Sequence, residues 1–224
     1  MRSSNKAIVM LSGGLDSATC LYWAKEKFSD LSAITFNYFG RLVQEKRAAA
    51  SLAAAADIKD VIEIDLPFVR EAGDFYSEHF KEECDSGLSW PSSYVPARNM
   101  IFYSITAYYA EYIGAKWIIG GHNLHDAKFF KDASKSYIDK LNKLFEEGCL
   151  LCNGQPYQIL LPLAEMDRKQ IISLAIKLKA PIELTWSCHR EGSAHCGKCY
   201  ACRQRLEAFD VLGLKDPVFS FKGI

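Results

Sequence analysis

The chain has 224 residues, 49% hydrophobic and 24% charged, with 27 basic against 27 acidic side chains and a formal net charge of zero. That length supports one large domain, or one domain with a small appendage, around a sizeable core. The balanced charge argues against duplex nucleic acid as the main partner, since affinity for phosphate backbones rests on excess Lys and Arg.

Strand-length apolar runs alternate with longer helical stretches along the chain. "AIVMLS" (7–12) reads as a buried strand and leads into a helix over 15–28. "LSAITFNY" (31–38) is a second strand, followed by an alanine-rich helix over 41–58 and a third strand at 60–67. An irregular stretch (68–96) ends among prolines and serines, which mark a loop. The pattern then gives a helix over 97–113, a strand at 115–122, a loop over 123–133 and a helix over 134–147. A fifth strand (157–163) precedes a helix over 167–180, with Asp167 in the N-cap position. Such alternation predicts an α/β domain on a parallel sheet. The tail from 184 onward is a cysteine-rich appendage, so the expected organisation is a domain over 1–183 and a small C-terminal unit over 184–224.

No run reaches the roughly 18 apolar residues of a membrane helix, and the N-terminus shows no charged-then-apolar leader, so a cytoplasmic chain with no membrane partner is expected. In that compartment the eight cysteines read as metal ligands or small buried hydrophobes rather than as disulfides.

The first chemical signal is "SGGLDS" at 12–17, between the first strand and the first helix. Gly13 and Gly14 allow positive φ and close backbone approach, which a loop wrapping an anion requires. The helix beginning near Leu15 aims unpaired N–H groups at the loop, and Ser12 and Ser17 add hydroxyl donors. The lysine of a Walker loop is missing, and Asp16 stands in its place. The loop suits pyrophosphate held by neutral donors, with Asp16 on a Mg²⁺ bridging the phosphate oxygens.

The second signal is Cys188-x7-Cys196-x2-Cys199-x2-Cys202. Close Cys-x2-Cys pairs place two sulfurs on one metal, and four thiolates close a tetrahedral sphere, so the reading is a structural Zn²⁺ site. An iron–sulfur cluster also takes four cysteines and is the alternative. His189 and His195 each adjoin a cysteine already in register and read as neighbours rather than ligands.

The glycine loop resembles that of the N-type ATP pyrophosphatases. Together with "YVPARN" (94–99) and "ELTWSCH" (183–189) running into the cysteine cluster, it is similar to the 7-cyano-7-deazaguanine synthase family over nearly the whole chain. The resemblance implies a Rossmann-like parallel five-stranded sheet of the adenine nucleotide alpha hydrolase type with a small C-terminal zinc-binding subdomain. It also implies a ligase that uses ATP to convert 7-carboxy-7-deazaguanine and ammonia to the nitrile through an adenylated carboxylate and an amide. On that basis Leu11, Ser12, Gly13, Gly14, Leu15, Asp16 and Ser17 hold the nucleotide and Mg²⁺. Asp16, Arg98 and Asp126 serve the chemistry, with Arg98 a cation for the phosphates or the substrate carboxylate. Tyr38, Arg41, Asn123, Asp126 and Asp132 are the implied substrate residues. The implied partners are a small deazapurine and ammonia, with no stable nucleic-acid partner, in a homodimer.

Departures from the family pattern lie at Ala127, Lys128, Phe129 and Lys131, with Phe130 for a tyrosine and Leu42 for a histidine. His122 and His125 are additional groups near the expected pocket. The departures leave open a divergent member that stops at the amide or uses another amine, and a tRNA-thiolating sulfurtransferase using Cys149 and Cys152.

Overall fold

The computed structural model describes residues 5–70, 72, 94–148 and 157–220. Cys84, Cys149, Cys152 and most of the irregular stretch after the third strand lie outside the described residues.

Five strands, β1 (Lys6–Met10), β2 (Asp30–Tyr38), β3 (Asp60–Leu66), β4 (Trp117–Ile119) and β5 (Gln158–Leu160), form one sheet in the order β3-β2-β1-β4-β5. Every pairing is parallel, as the alternating pattern predicts. The chain moves outward from β1 to β3, then returns to the other side of β1 with β4. The order therefore reverses between β1 and β4. In open α/β sheets, the carboxyl ends of the strands at such a reversal frame the ligand crevice.

The centre of the sheet is buried on both faces, since side chains alternate in direction along a strand and helices cover both sides, while the edge strand β3 is largely exposed. Ala7 and Val9 of β1 join one cluster, with α1 (Leu15–Lys27), α2 (Val43–Ala55) and α6 (Arg168–Lys177), while Ile8 joins the other, with α3 (Arg98–Ile113) and α5 (Lys135–Gly148). The C-terminal appendage is not separately cored. Ala208 and Phe209 of α7 (Tyr200–Val211) bury in the cluster that holds Ile171 and Ile172 of α6.

The expectation of a loop over 123–133 is corrected. A short helix α4 (Leu124–Phe129) and a one-turn 3-10 helix (Lys131–Ala133) occupy it. The cause is local: the Asn123 side chain accepts from the N–H groups of His125 (2.8 Å) and Asp126 (3.0 Å), and Asp126 Oδ2 accepts from Asn123 N (3.2 Å). This reciprocal cap satisfies helix-start donors that are otherwise unpaired. Asp167 caps α6 as expected, accepting from Gln170 N at 2.9 Å. A four-residue helix, α8 (Pro217–Ser220), ends the described chain. Among the described residues, no helix is long and apolar enough to cross a membrane.

Candidate functional site

β1 runs directly into the glycine loop. Gly13 has φ +98°, and a Cβ there would lie 2.3 Å from the Glu45 carbonyl oxygen at the start of α2. Both conformation and contact demand glycine. The alanines of α2, among them Ala48 and Ala49, allow that close approach. Gly14 is the N-cap of α1 and has no side chain to occupy the first-turn donors. Ser17 Oγ donates to Gly14 O (3.0 Å), and Ser12 Oγ donates to Ser17 Oγ (3.0 Å), which fixes both hydroxyls over the loop.

Asp16 leaves this first turn toward β4. Its Oδ2 accepts from Asn123 Nδ2 at 2.9 Å, while Oδ1 is shielded from solvent and has no hydrogen-bond partner among the described residues. Burial raises its pKa to about 6, with Asp126 adding to the effect and Arg168 and Asn123 opposing it. Burial likewise raises Asp126. Asn123 thus ties together two carboxylates that both resist ionisation in the absence of a cation. A hard divalent cation with oxygen ligands suits such a pair.

A cavity of about 370 Å³ opens at the switch point between β1 and β4. Of the residues singled out in the sequence, Leu11, Ser12, Gly14, Leu15, Asp16, Ser17, Tyr38, Arg41, Arg98 and Asp126 line it. Gly13 packs toward α2 instead, and Asn123 lies behind Asp16. Asp132 stands elsewhere, accepting from Asn99 N (3.4 Å) at the start of α3. Arg41 donates to Phe36 O (2.5 Å), Asn37 Oδ1 (3.0 Å) and Ser12 O (3.2 Å), and so braces the end of β2 against the glycine loop. Ala127–Lys131 and Leu42, where the sequence departs from the family pattern, do not line the cavity.

Several lining residues escaped sequence reasoning. Arg168, the first residue of α6, brings its charge to bear on Asp16 and Asp126. The signal was present, because the loop after the fifth strand also leaves a carboxyl end of the sheet. Trp186, Ser187 and His189 close the cavity from the cysteine-rich side, and Trp186 N donates to Gly13 O at 2.9 Å. Only the tertiary fold brings them there.

The four cysteine sulfurs lie within 4.8 Å of one another. Two separations, Cys196 to Cys202 and Cys188 to Cys199, are 4.0 Å. Two thiolates on a tetrahedral zinc at Zn–S of about 2.3 Å would sit roughly 3.8 Å apart, so the cradle fits with little movement. Backbone N–H groups of Lys198 (3.4 Å) and Cys199 (3.3 Å) point at Cys196 Sγ and lower its pKa to about 6, which favours the thiolate a metal binds. His195 Nε2 accepts from Ser187 N at 3.0 Å and supports the loop beside the cluster. Behind it, Arg205 is fully buried and paired with Asp216.

The family described as "Queuosine biosynthesis protein QueC" matches residues 6–213. The 7-cyano-7-deazaguanine synthase of Nostoc punctiforme is 38% identical over 222 residues, which cover 95% of this chain and 98% of the relative. The enzyme of the same name from Aliarcobacter butzleri is 36% identical over 220 residues, 96% of each chain. The solved structure of NMN synthetase from Francisella tularensis shares the fold at 15% identity and a TM-score of 0.50, covering 98% of this chain and 82% of that one.

Proposed function

The chain belongs to the queuosine biosynthesis QueC family, and from that premise we propose that it is a carbon–nitrogen ligase making 7-cyano-7-deazaguanine from 7-carboxy-7-deazaguanine, ammonia and ATP. The observation that carries the ATP step is the uncapped first turn of α1 beside the partnerless Asp16 Oδ1, on one cavity at the sheet's switch point.

In this reading the α1 N–H groups hold pyrophosphate, and the Ser12 and Ser17 hydroxyls, which donate within the loop itself, rotate to donate to it. Asp16 and Asp126 would hold Mg²⁺, which when bound neutralises charge on the phosphate oxygens. Arg98 and Arg168 stand at the cavity as cations for the phosphates and the substrate carboxylate. The carboxylate oxygen attacks the α-phosphorus of ATP, the α–β bridging bond breaks and pyrophosphate leaves. Ammonia attacks the resulting acyl carbon, the bond to AMP breaks, and one proton is lost to give the amide. The amide oxygen attacks the α-phosphorus of a second ATP, with loss of pyrophosphate and one N–H proton. Departure of AMP with the remaining N–H proton then leaves the nitrile. Trp186 and His189 cover the cavity and restrict water, the competing nucleophile.

The cysteine cluster takes Zn²⁺ as a structural ion in this reading, with four thiolates and no open position. The nitrile is favoured over a divergent amide-forming activity because the positions that depart from the family pattern stand outside the cavity. Incubation with ATP, Mg²⁺, ammonium and 7-carboxy-7-deazaguanine, followed by mass spectrometry, tests the whole sequence. The expected products are the nitrile, pyrophosphate and AMP. An amide, heavier by one water, would overturn the second activation, and absence of acid-dependent pyrophosphate release would overturn the function.

A further inference from the structure

Two buried polar atoms on the cavity take no part in the scheme above. Tyr103, on α3, is 0% exposed, and its hydroxyl has no hydrogen-bond partner among the described residues. His122 follows β4, and its Nε2 is equally without a partner among those residues. The two rings meet edge to face with centroids 5.7 Å apart, and both side chains line the cavity. Gly120 makes the arrangement possible, since a Cβ there would fall 1.9 Å from the Tyr103 hydroxyl. Native chains keep few buried hydrogen-bonding atoms unpaired, and two on one cavity wall point to a ligand that pairs with them.

The chemistry of the pair limits that ligand. Burial pushes the Tyr103 hydroxyl up and His122 down to about 4, the nearby Arg98 adding to the latter, so both groups are neutral at neutral pH. A neutral pair makes a poor seat for an ammonium or a lone carboxylate. A phenol hydroxyl donates and accepts, and a neutral imidazole nitrogen does either according to tautomer. Together they match a carbonyl beside an N–H. Arg98, whose charge reaches His122, lines the same cavity. On 7-carboxy-7-deazaguanine the carboxylate lies next to the ring carbonyl, and the ring N–H follows. One edge of the molecule thus presents an anion, a neutral acceptor and a neutral donor.

Resting on the function proposed above, we propose that Tyr103 and His122 form the subsite for the lactam edge of the deazapurine, its adjacent C=O and N–H, with Arg98 beside them on the carboxylate. The pair determines which heterocycle is accepted and has no part in nucleotide cleavage. A site built to hydrogen-bond a substrate group discriminates strongly against analogues that lack it, because its own polar atoms are then stranded.

Calorimetric binding of 7-carboxy-7-deazaguanine, with α,β-methylene-ATP present so that no turnover occurs, tests the assignment. Tyr103→Phe and His122→Leu should each weaken acid binding about tenfold, the range for one lost hydrogen bond. His122→Gln, which keeps a donor and an acceptor, should retain most of the affinity. Affinity for α,β-methylene-ATP should not change, which also reports that each variant is folded. Tyr103→Phe should melt no lower than the parent, because the hydroxyl it removes is paired to none of the described residues. An N1-methylated acid, tested on the unaltered protein, should bind at least tenfold more weakly than the acid itself, the same hydrogen bond being lost from the ligand side. Unchanged acid binding in both variants, or equal binding of the methylated acid, would overturn the subsite alone. An unaltered protein that binds α,β-methylene-ATP and not the acid would overturn the proposed function, and the subsite with it.

Discussion

Asp216→Ala should be among the most destabilising single substitutions in the C-terminal region. The Arg205 guanidinium is fully buried and uses every N–H it has. Nε and Nη2 donate to the two Asp216 oxygens at 2.7 and 3.1 Å, Nη1 donates to Thr185 Oγ1 (2.7 Å) and Ser187 Oγ (3.0 Å), and Nη2 donates to Ile182 O (3.3 Å). Asp216 Oδ1 also accepts from Val218 N at 3.2 Å, so the substitution uncaps α8 as well. Removing the carboxylate strands a desolvated cation with two unused donors, which costs about 3–5 kcal/mol. For a chain of this size, a kilocalorie moves the melting temperature by roughly 2–4 °C, so a fall of about 10 °C is expected. Asp216→Asn, which keeps one acceptor, should fall by less. The double replacement Arg205→Met with Asp216→Leu should melt higher than Asp216→Ala, because it removes the charge with its partner. Differential scanning calorimetry on the zinc-loaded protein measures all three. An Asp216→Ala protein melting within about 2 °C of the parent would refute the claim that the guanidinium depends on this pair.

Other consequences follow from the glycine loop and the cysteine cluster. Asp16→Ala should abolish pyrophosphate release with the melting temperature nearly unchanged, and normal release in that variant would remove Asp16 from the metal site. Burial holds Asp16 near pH 6, against 3.8 for an exposed carboxyl, so between those values the folded protein keeps a proton that the unfolded chain has lost. Metal-free protein should therefore lose stability as pH rises through about 6, while Mg²⁺, which needs the carboxylate, should stabilise it more above that pH. Thermal shift with and without Mg²⁺ across this range checks the sign, and an equal Mg²⁺ effect at both ends would contradict it. Gly13→Ala should destabilise by about 2 kcal/mol or more and weaken ATP binding, since its Cβ would force the loop off α2 at a strained φ. Denaturant midpoints and nucleotide titration measure that. Cys199→Ser should lower bound zinc and melting temperature together, because structural metal binding is folding free energy. A variant retaining both would argue against the closed four-sulfur site.

The parts of the site that are local in sequence were legible, and those made by strand order were not. The β1–loop–α1 unit could be read because its glycines, hydroxyls and acid lie within six residues, 12–17, at a strand–helix junction. The cysteine spacing is likewise local, and the four sulfurs converge as that spacing requires. Alternating elements predict a parallel sheet, yet they leave the strand order undetermined. It is the β3-β2-β1-β4-β5 order that sets β4 against β1 and carries Arg168 and Trp186 onto the same cavity. Arg41 and Asp132 show the converse, for the hydrogen bonds by which they brace the glycine loop and α3 depend on the fold and could not be read from the sequence. Asn123 joins the two cases. Its Oδ1 starts α4 by capping His125 and Asp126, and its Nδ2 holds Asp16 across the switch point. Asn-x-x-Asp is readable as a helix start, so the missed α4 had a signal in the sequence. The same amide orients the two carboxylates proposed for Mg²⁺, which makes the short helix a part of the site. An Asn123→Ala protein would lose the α4 cap and the Asp16 hydrogen bond in one step, whereas Asn123→Asp would keep the cap and set a third carboxylate beside Asp16.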